Sequence, residues 1–293
     1  MIEIIFIPTY RRINKQITYD RLPDKWKKRT ILVVAPDEYQ ALKKLGYNVL
    51  SCPVQGKAPE GKNPNDYGIS ATREWIIKQA GNRKFAVLDD DLVDFVYTAR
   101  PSERSSYRLV NNIINSGKPE KGFETSFDTM MDLMSEWLDE FVTVGLEVTW
   151  NPPMEKDYQD CWRQTTNHFI NGSTFPKENI DYRGIALAED YYILLQLLTK
   201  GYKNRVSLRY RIRPGLTQAD GGCEEYRTLE KHNDSMKKLQ ADFPDFVTLK
   251  EKKTKTGKWK DIVKLAAMIQ WKQAWKSSQK TKTHDNAINA FFE

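Results

Sequence analysis

The chain is poor in the residues that staple or metallate small proteins. Its three cysteines, Cys52, Cys161 and Cys223, are scattered and odd in number. That excludes a disulfide framework and a thiolate zinc site, and it points to a reducing compartment. No signal-peptide pattern precedes the first strand, and no apolar run is long enough to cross a bilayer. Internal repeats and low-complexity tracts are absent. No glycine-rich phosphate loop follows the first strand, where Tyr10-Arg11-Arg12 stands instead. The expectation is a cytoplasmic protein, without a membrane partner, built around an ordinary core.

Net positive charge is lacking outside one segment. Residues 250–282 hold eleven lysines and two acids, Glu251 and Asp261, a local charge of +9 in a chain of net +7. The remainder therefore sums to about −2, so the body is nearly neutral and the C-terminal region is a concentrated cation. Such asymmetry suits a polyanion partner.

The N-terminal half alternates strand-like and helix-like segments. Strands are expected at Ile2–Pro8, Thr30–Ala35, Asn48–Pro53 and Phe85–Leu88. Helices are expected at Tyr39–Leu45 and, opened by Ser70 and stopped by Gly81, at Ser70–Ala80. This pattern predicts an α/β sheet with crossover connections. Further on come a long helix over Phe123–Val144, strands at Leu146–Trp150 and His168–Phe175, and helices at Ala188–Lys200 and Tyr226–Leu239. The polar stretch 100–121 reads as a lid that orders on ligand binding.

The run Phe85-Ala86-Val87-Leu88 ends in Asp89-Asp90-Asp91. Three carboxylates at the carboxyl end of a buried strand call for a cation, because unpaired buried charge is too costly. Open α/β sheets bind ligands just outside those strand ends. Hard oxygen donors suit Mg²⁺ or Mn²⁺ shared with phosphate oxygens. The alternative is a solvated turn that caps Leu92–Tyr97. Three other segments fit the same site. Pro8-Thr9-Tyr10-Arg11 ends the first strand with a hydroxyl and a guanidinium suited to base and phosphate. Gly68–Arg73 opens a helix whose N-terminus attracts anions, with Arg73 within reach of a diphosphate. Glu189-Asp190 starts another helix, where a carboxylate beside a metal site can take a proton from an attacking hydroxyl.

These segments, in this order, resemble the glycosyltransferases of the GT-A fold over roughly Ile2–Tyr202. The triplet corresponds to that family's DXD motif. More narrowly, Leu88-Asp89-Asp90-Asp91 with Phe95, the Ala188-Glu189-Asp190 helix ending in Gly201-Tyr202, and the Gly221-Gly222-Cys223 turn resemble the TET-associated DNA-base glycosyltransferases of bacteriophages. The resemblance implies a GT-A type mixed sheet flanked by helices. It implies transfer of a sugar from a nucleotide sugar, a UDP-sugar, to a hydroxylated pyrimidine in DNA, in the host cytoplasm if phage-encoded. Asp89 and Asp91 would hold Mn²⁺ or Mg²⁺, with Asp90 near the donor ribose or sugar. Pro8, Thr9, Tyr10, Arg11, Asp37 and Arg73 would hold the nucleotide. Asp190 would be the base, with Glu189 second. Many fold relatives add a C-terminal histidine to the metal. The candidates are His232 and His284, and His232 reads as a surface residue of a helix. His168 is expected on a strand near the acceptor side.

Residues 1–245 are taken as the catalytic domain and 246–293 as a basic helical extension. Placed on a helix over Trp259–Lys276, Lys260, Lys264, Lys272 and Lys276 spread over one face, with Trp271 and Trp275 among them. Lysines would contact phosphates, and the tryptophans would stack on a base. Two rival readings are a glycosyltransferase with a protein or glycan acceptor and a non-catalytic DNA-binding accessory protein. A third, a sugar nucleotidyltransferase, lacks its phosphate loop.

Overall fold

The structure, a computed structural model, describes residues 1–103, 110–112, 125–215, 222, 226–255 and 259–279. In chain order its elements are β1 (Ile4–Pro8), α1 (Ile17–Arg21), α2 (Asp24–Lys27), β2 (Thr30–Val34), α3 (Tyr39–Lys44), β3 (Val49–Ser51), α4 (Ile69–Ala80), β4 (Lys84–Leu88) and β5 (Leu92–Thr98). There follow β6 (Val110–Asn112), α5 (Phe127–Trp137), β7 (Thr143–Val148), β8 (Tyr158–Asp160), β9 (Asn167–Asn171), α6 (Glu189–Thr199), β10 (Asn204–Pro214), α7 (Leu229–Asp242), β11 (Val247–Lys253) and β12 (Val263–Ile269). A last helix, α8, covers 271–279.

Among the described residues, ten strands make one sheet in the order β3-β2-β1-β4-β9-β7-β10-β5-β6, with β8 pairing on β10. Strands β3, β2, β1 and β4 run parallel. β9 is antiparallel to both β4 and β7. The expected mixed α/β sheet flanked by helices is what the chain forms. The period of two along β1 divides its core. Ile5 and Ile7 pack with Met130, Met131 and Met134 of α5, while Phe6 packs with Ile76 and Ile77 of α4 and Leu197 of α6. Phe6 meets Phe85 edge-on at 5.9 Å, fixing β1 beside β4. Because these two strands are parallel neighbours, the segments after Pro8 and after Leu88 emerge together at one edge.

Two expectations are corrected and one strand is added. The helix over 123–144 is shorter and gives way to β7, all six residues of which are buried. The run Val142-Thr143-Val144 is β-branched, which favours a strand over a further helical turn; Phe123 lies outside the described residues. The longest strand among the described residues, β10, is the addition. Arg205, Arg209, Arg211 and Arg213 made it look polar, but Arg205 pairs with Asp160 at 2.7 Å and Arg209 with Glu103 at 3.0 Å. The basic C-terminal region is not one helix over Trp259–Lys276. Among the described residues it is the antiparallel hairpin β11–β12 followed by α8. Val247 and Leu249 of β11 stand opposite Ile269 and Ala267 of β12, so a period of two gives the hairpin one face that packs on the body. Val247, Trp271 and Ala274 are buried with Leu195 and Leu198 of α6 and Leu239 of α7, so the hairpin packs directly on the body.

Candidate active site

The aspartate triplet is held chiefly through its backbone. The Asp89 N–H donates to the Thr166 carbonyl at 2.9 Å, and the Gly215 N–H donates to the Asp91 carbonyl at 2.7 Å. From α1, the Thr18 hydroxyl donates to the Asp89 carbonyl at 2.6 Å and accepts the Leu92 N–H at 2.8 Å. With the backbone fixed, the side chains divide. Asp90 is buried in an ion pair with Arg12, and the Thr9 hydroxyl bonds the same carboxylate. Asp89 and Asp91 keep 28% and 26% of their side chains exposed, and both line the cleft. Arg73 Nη2 lies 3.0 Å from Asp89, and Arg12 Nη1 lies 3.6 Å from Asp91.

Crowding of anions leaves its mark on protonation. Burial pushes Asp89 up to about 8; Arg73 opposes this, while Asp91, Glu189 and Asp90 add to it. Burial likewise pushes Asp90 up to about 6, against the pull of Arg12. The buried Asp90 Oδ2 has no hydrogen-bond partner among the described residues. Hard oxygen donors with excess negative charge fit Mg²⁺ or Mn²⁺. No group of three or more His, Cys, Asp or Glu side chains among the described residues could by itself hold a metal ion. The two cleft-facing carboxylates, Asp89 and Asp91, are a donor set that fits a cation shared with a ligand's phosphates.

Arg73 joins the two acidic stations. It lies on the second turn of α4 and is 6% exposed. Its Nε is 3.3 Å from Glu189 Oε1, and its Nη1 donates to His168 Nε2 at 2.7 Å. His168 on β9 must accept there, so it is neutral, and burial followed by the Arg73 charge lowers its pKa well below the ordinary value. The start of α4 differs from expectation. Gly68 precedes the helix at φ 85°, Ser70 donates its hydroxyl to the Ile185 carbonyl, and the Ile69 N–H is taken by the Tyr226 hydroxyl at 3.1 Å. Tyr226 is thus packed against the helix start.

Across the cleft, α6 begins after Ala188, whose φ of 62° is a left-handed turn unusual for a residue with a Cβ. That turn brings Glu189 to Arg73 and Asp190 to the cleft wall. Asp190 accepts its neighbour's N–H, from Tyr191, at 2.9 Å. Burial, then the charge of Glu189, raises Asp190 to about 7, with Arg73 opposing.

The cleft has a volume of about 640 Å³ and is lined by Pro8, Tyr10, Arg73, all three aspartates, Glu189 and Asp190. Three expected nucleotide-binding residues do not line it. Thr9 is buried under Asp90. Arg11 turns at φ 58° toward Asp37, 3.1 Å away, and its N–H is bound by the Glu38 carboxylate. Tyr10 instead lies against Gly56, where a Cβ would stand 2.5 Å from its ring. Arg12, Gln55, Trp150, Arg163, Tyr226 and Arg227 also border the site. Arg12 directly follows the Pro8-Thr9-Tyr10-Arg11 segment; the others carry no local signal.

The hairpin supplies the opposite wall. In its register Lys250 faces Ala266 and Lys252 faces Lys264, so these three lysines share one side, which lines the cleft. Lys264 Nζ sits 5.5 Å from the Trp259 ring. Of the six side chains expected to contact DNA, only Lys264 is on this wall. Lys260 and Lys276 are exposed elsewhere. Lys272 and Trp275 border a separate depression with Asp157, Asp160 and Lys203. Trp271 is buried edge-on against Tyr191 at 5.4 Å, so it is a core residue and not a stacking surface. His232 is half-buried, and its Nε2 donates to the Leu265 carbonyl at 2.9 Å, tying α7 to the hairpin. His284, Gly221, Cys223 and most of 100–121 lie outside the described residues.

A family model described as TET-associated glycosyltransferase matches residues 3–210. Two relatives align over nearly the whole chain. The beta-glucosyl-HMC-alpha-glucosyl-transferase of Enterobacteria phage T6 is 25% identical over 275 residues, 92% of this chain and 92% of its own length. The protein of the same name from Enterobacteria phage T2 is 24% identical over 276 residues, again 92% of each. Among solved structures, S. aureus TarS 1-349 is similar with a TM-score of 0.42 at 13% identity, covering 82% of this chain and 66% of that one.

Proposed function

We propose that this chain, which belongs to the TET-associated glycosyltransferase family, moves a sugar from a UDP-sugar to a hydroxyl carried by a modified pyrimidine of DNA. The relatives, named for transfer of glucose to beta-glucosyl-HMC, support an acceptor hydroxyl carried by a modified base. The observation that carries the reading is one cleft with two acidic stations, bridged by Arg73 and faced by a lysine wall.

In this reading Asp89 and Asp91 would hold Mg²⁺ or Mn²⁺ together with the donor diphosphate. When bound, the cation offsets the charge that develops on the leaving group. Arg12 holds Asp90 inward, so Asp90 shapes the turn and contributes charge. Arg73 keeps Asp89 and Glu189 apart in one fixed arrangement. Tyr10, on the Gly56 backbone, and Pro8 border the nucleotide's place. Asp190 takes the proton of the acceptor hydroxyl as its oxygen bonds to the anomeric carbon and the bond to the diphosphate breaks. A base raised to about 7 suits that task near neutral pH.

The lysine wall bears on the acceptor. Lys252 and Lys264 stand directly opposite each other, and like charges in that position repel. Burial, then Arg227 and Lys252, lowers the Lys264 pKa. A polyanion relieves this repulsion, and DNA phosphates supply one. The chemistry thus belongs to residues 1–245 and backbone contact to residues 246–293.

The test is nucleotide release from a panel of nucleotide sugars with Mn²⁺, with and without hydroxymethylated DNA. Release from one donor that rises with the modified DNA supports the reading. Release indifferent to DNA keeps the transferase and turns the acceptor toward a protein or glycan. No release, with DNA still bound, turns it toward an accessory protein.

A further inference from the structure

We propose that the turn after β7 and the segment before β9 form the subsite for the acceptor's ring. Trp150 is its stacking surface, Arg163 its cation, and the buried Glu147 its positioning residue. The proposal rests on the transferase reading above and assigns the face of the cleft that receives the acceptor.

Trp150 is 61% exposed, among the most exposed large apolar side chains described, and it lines the same cleft as Asp190, Tyr191 and Arg163. Its turn is fixed from both sides by buried charges. Arg211, 2% exposed, donates to the Asn151 carbonyl at 2.8 Å. Glu147, 3% exposed, accepts the Val148 N–H at 2.9 Å and the Asn151 side-chain amide at 2.8 Å on one oxygen. The Thr149 N–H closes the turn onto the Ile212 carbonyl at 2.8 Å.

The second Glu147 oxygen reaches the other half of the subsite. It accepts the Trp162 indole N–H at 2.8 Å and lies 3.7 Å from Arg163 Nη2. The Arg163 guanidinium centre is 5.8 Å from the Trp162 ring, which sets the plane it presents to the cleft. Arg163 Nε has no hydrogen-bond partner among the described residues. One desolvated carboxylate therefore orders both an exposed indole and an arginine at the cleft. Burying a charge to hold an indole in water gives the fold nothing by itself. It does preorganise a flat apolar surface beside a cation, which lowers the entropy lost on binding.

The chemistry that matches is a ring bordered by oxygen-rich groups. A pyrimidine substituent reaches the depth of the cleft beside Asp190 most directly when the acceptor nucleotide leaves its stack. Trp150 replaces the stacking that it loses, and Arg163 takes oxygens beside the ring. The hairpin lysines hold the backbone on the other wall.

The experiment is steady-state transfer at saturating donor with the modified oligonucleotide varied, alongside donor hydrolysis without DNA. Trp150→Ala is expected to raise the KM for DNA about five- to a hundredfold, the loss typical of one stacked base. Donor KM and donor hydrolysis stay unchanged, and Trp150→Phe regains most of the loss. Glu147→Gln raises the same KM, but adds little in the Trp150→Ala background, which separates positioning from a general loss of fold. An unchanged DNA KM in Trp150→Ala, with an active wild type, overturns the subsite alone. So does a parallel loss of donor hydrolysis. A wild type inert on every DNA overturns the acceptor reading and the subsite with it.

Discussion

The two walls of the cleft are opposite in charge and in the way they are built. The acidic side is made of consecutive residues at a strand end, and their backbone is bonded from α1, the β9 approach and Gly215. On the basic side, Lys250, Lys252 and Lys264 come together only through a cross-strand register. On the acidic wall burial, with neighbouring carboxylates adding to it, raises Asp89 to about 8 and Asp190 to about 7. The basic wall is more open, with Lys250 and Lys252 exposed. The difference teaches a division of labour. Buried, interlocked charge suits a reaction that needs fixed geometry, whereas exposed charge suits a long polyanion whose exact seat can vary.

Breaking the acidic wall should have the largest effect. Asp91→Asn is expected to lower transfer and donor hydrolysis by about a thousandfold, as loss of a principal electrostatic stabiliser does; nucleotide release measures it. The pH dependence comes next. With Mn²⁺ held at saturation so that Asp89 stays ionised, the base alone sets the limb, and log kcat/KM should fall by about one for each pH unit below about 7 and remain flat above it. Asp190→Asn should remove that limb and leave a low, pH-independent rate.

Breaking the basic wall should affect only the acceptor. Lys250, Lys252 and Lys264 changed together to Ala should raise the KM for DNA and make the slope of log affinity against log salt shallower by roughly 2 to 3, as about three lost phosphate contacts would. Donor hydrolysis should persist. A hairpin variant that lost donor hydrolysis as well would merge the two walls into one function. The smallest effect sharpens the boundary. Lys272→Ala, on the separate depression, should leave the KM for DNA within about twofold, as surface changes away from a site do.

Much of the catalytic half was legible because its signals are local. The run Phe85–Leu88 before the triplet, the glycine before α4 and the acidic start of α6 each announce an element within a few residues. The C-terminal half was not. A lysine every few residues fits a solvated helix as readily as the polar face of a strand, and only pairing across residues 254–262 decides between them. β10 was hidden for a related reason. Arginines normally mark solvent, yet Arg209 and Arg211 are buried because Glu103, Tyr97 and the Asn151 carbonyl receive them from distant parts of the chain. Trp271 looked like a stacking surface because its neighbours are lysines, but its partner is Tyr191.

By itself the sequence determined the alternating α/β order, the acidic stations and the segregation of charge, since each rests on neighbouring residues and short-range periodicity. Only the tertiary structure decided which aspartate is buried against Arg12, that Arg73 joins two stations 100 positions apart, Asp89 and Glu189, and also meets His168, and which lysines line the cleft. Those outcomes depend on which residues burial and pairing bring within a few ångströms of one another, and electrostatic and hydrogen-bond energies follow that distance, not the distance along the chain.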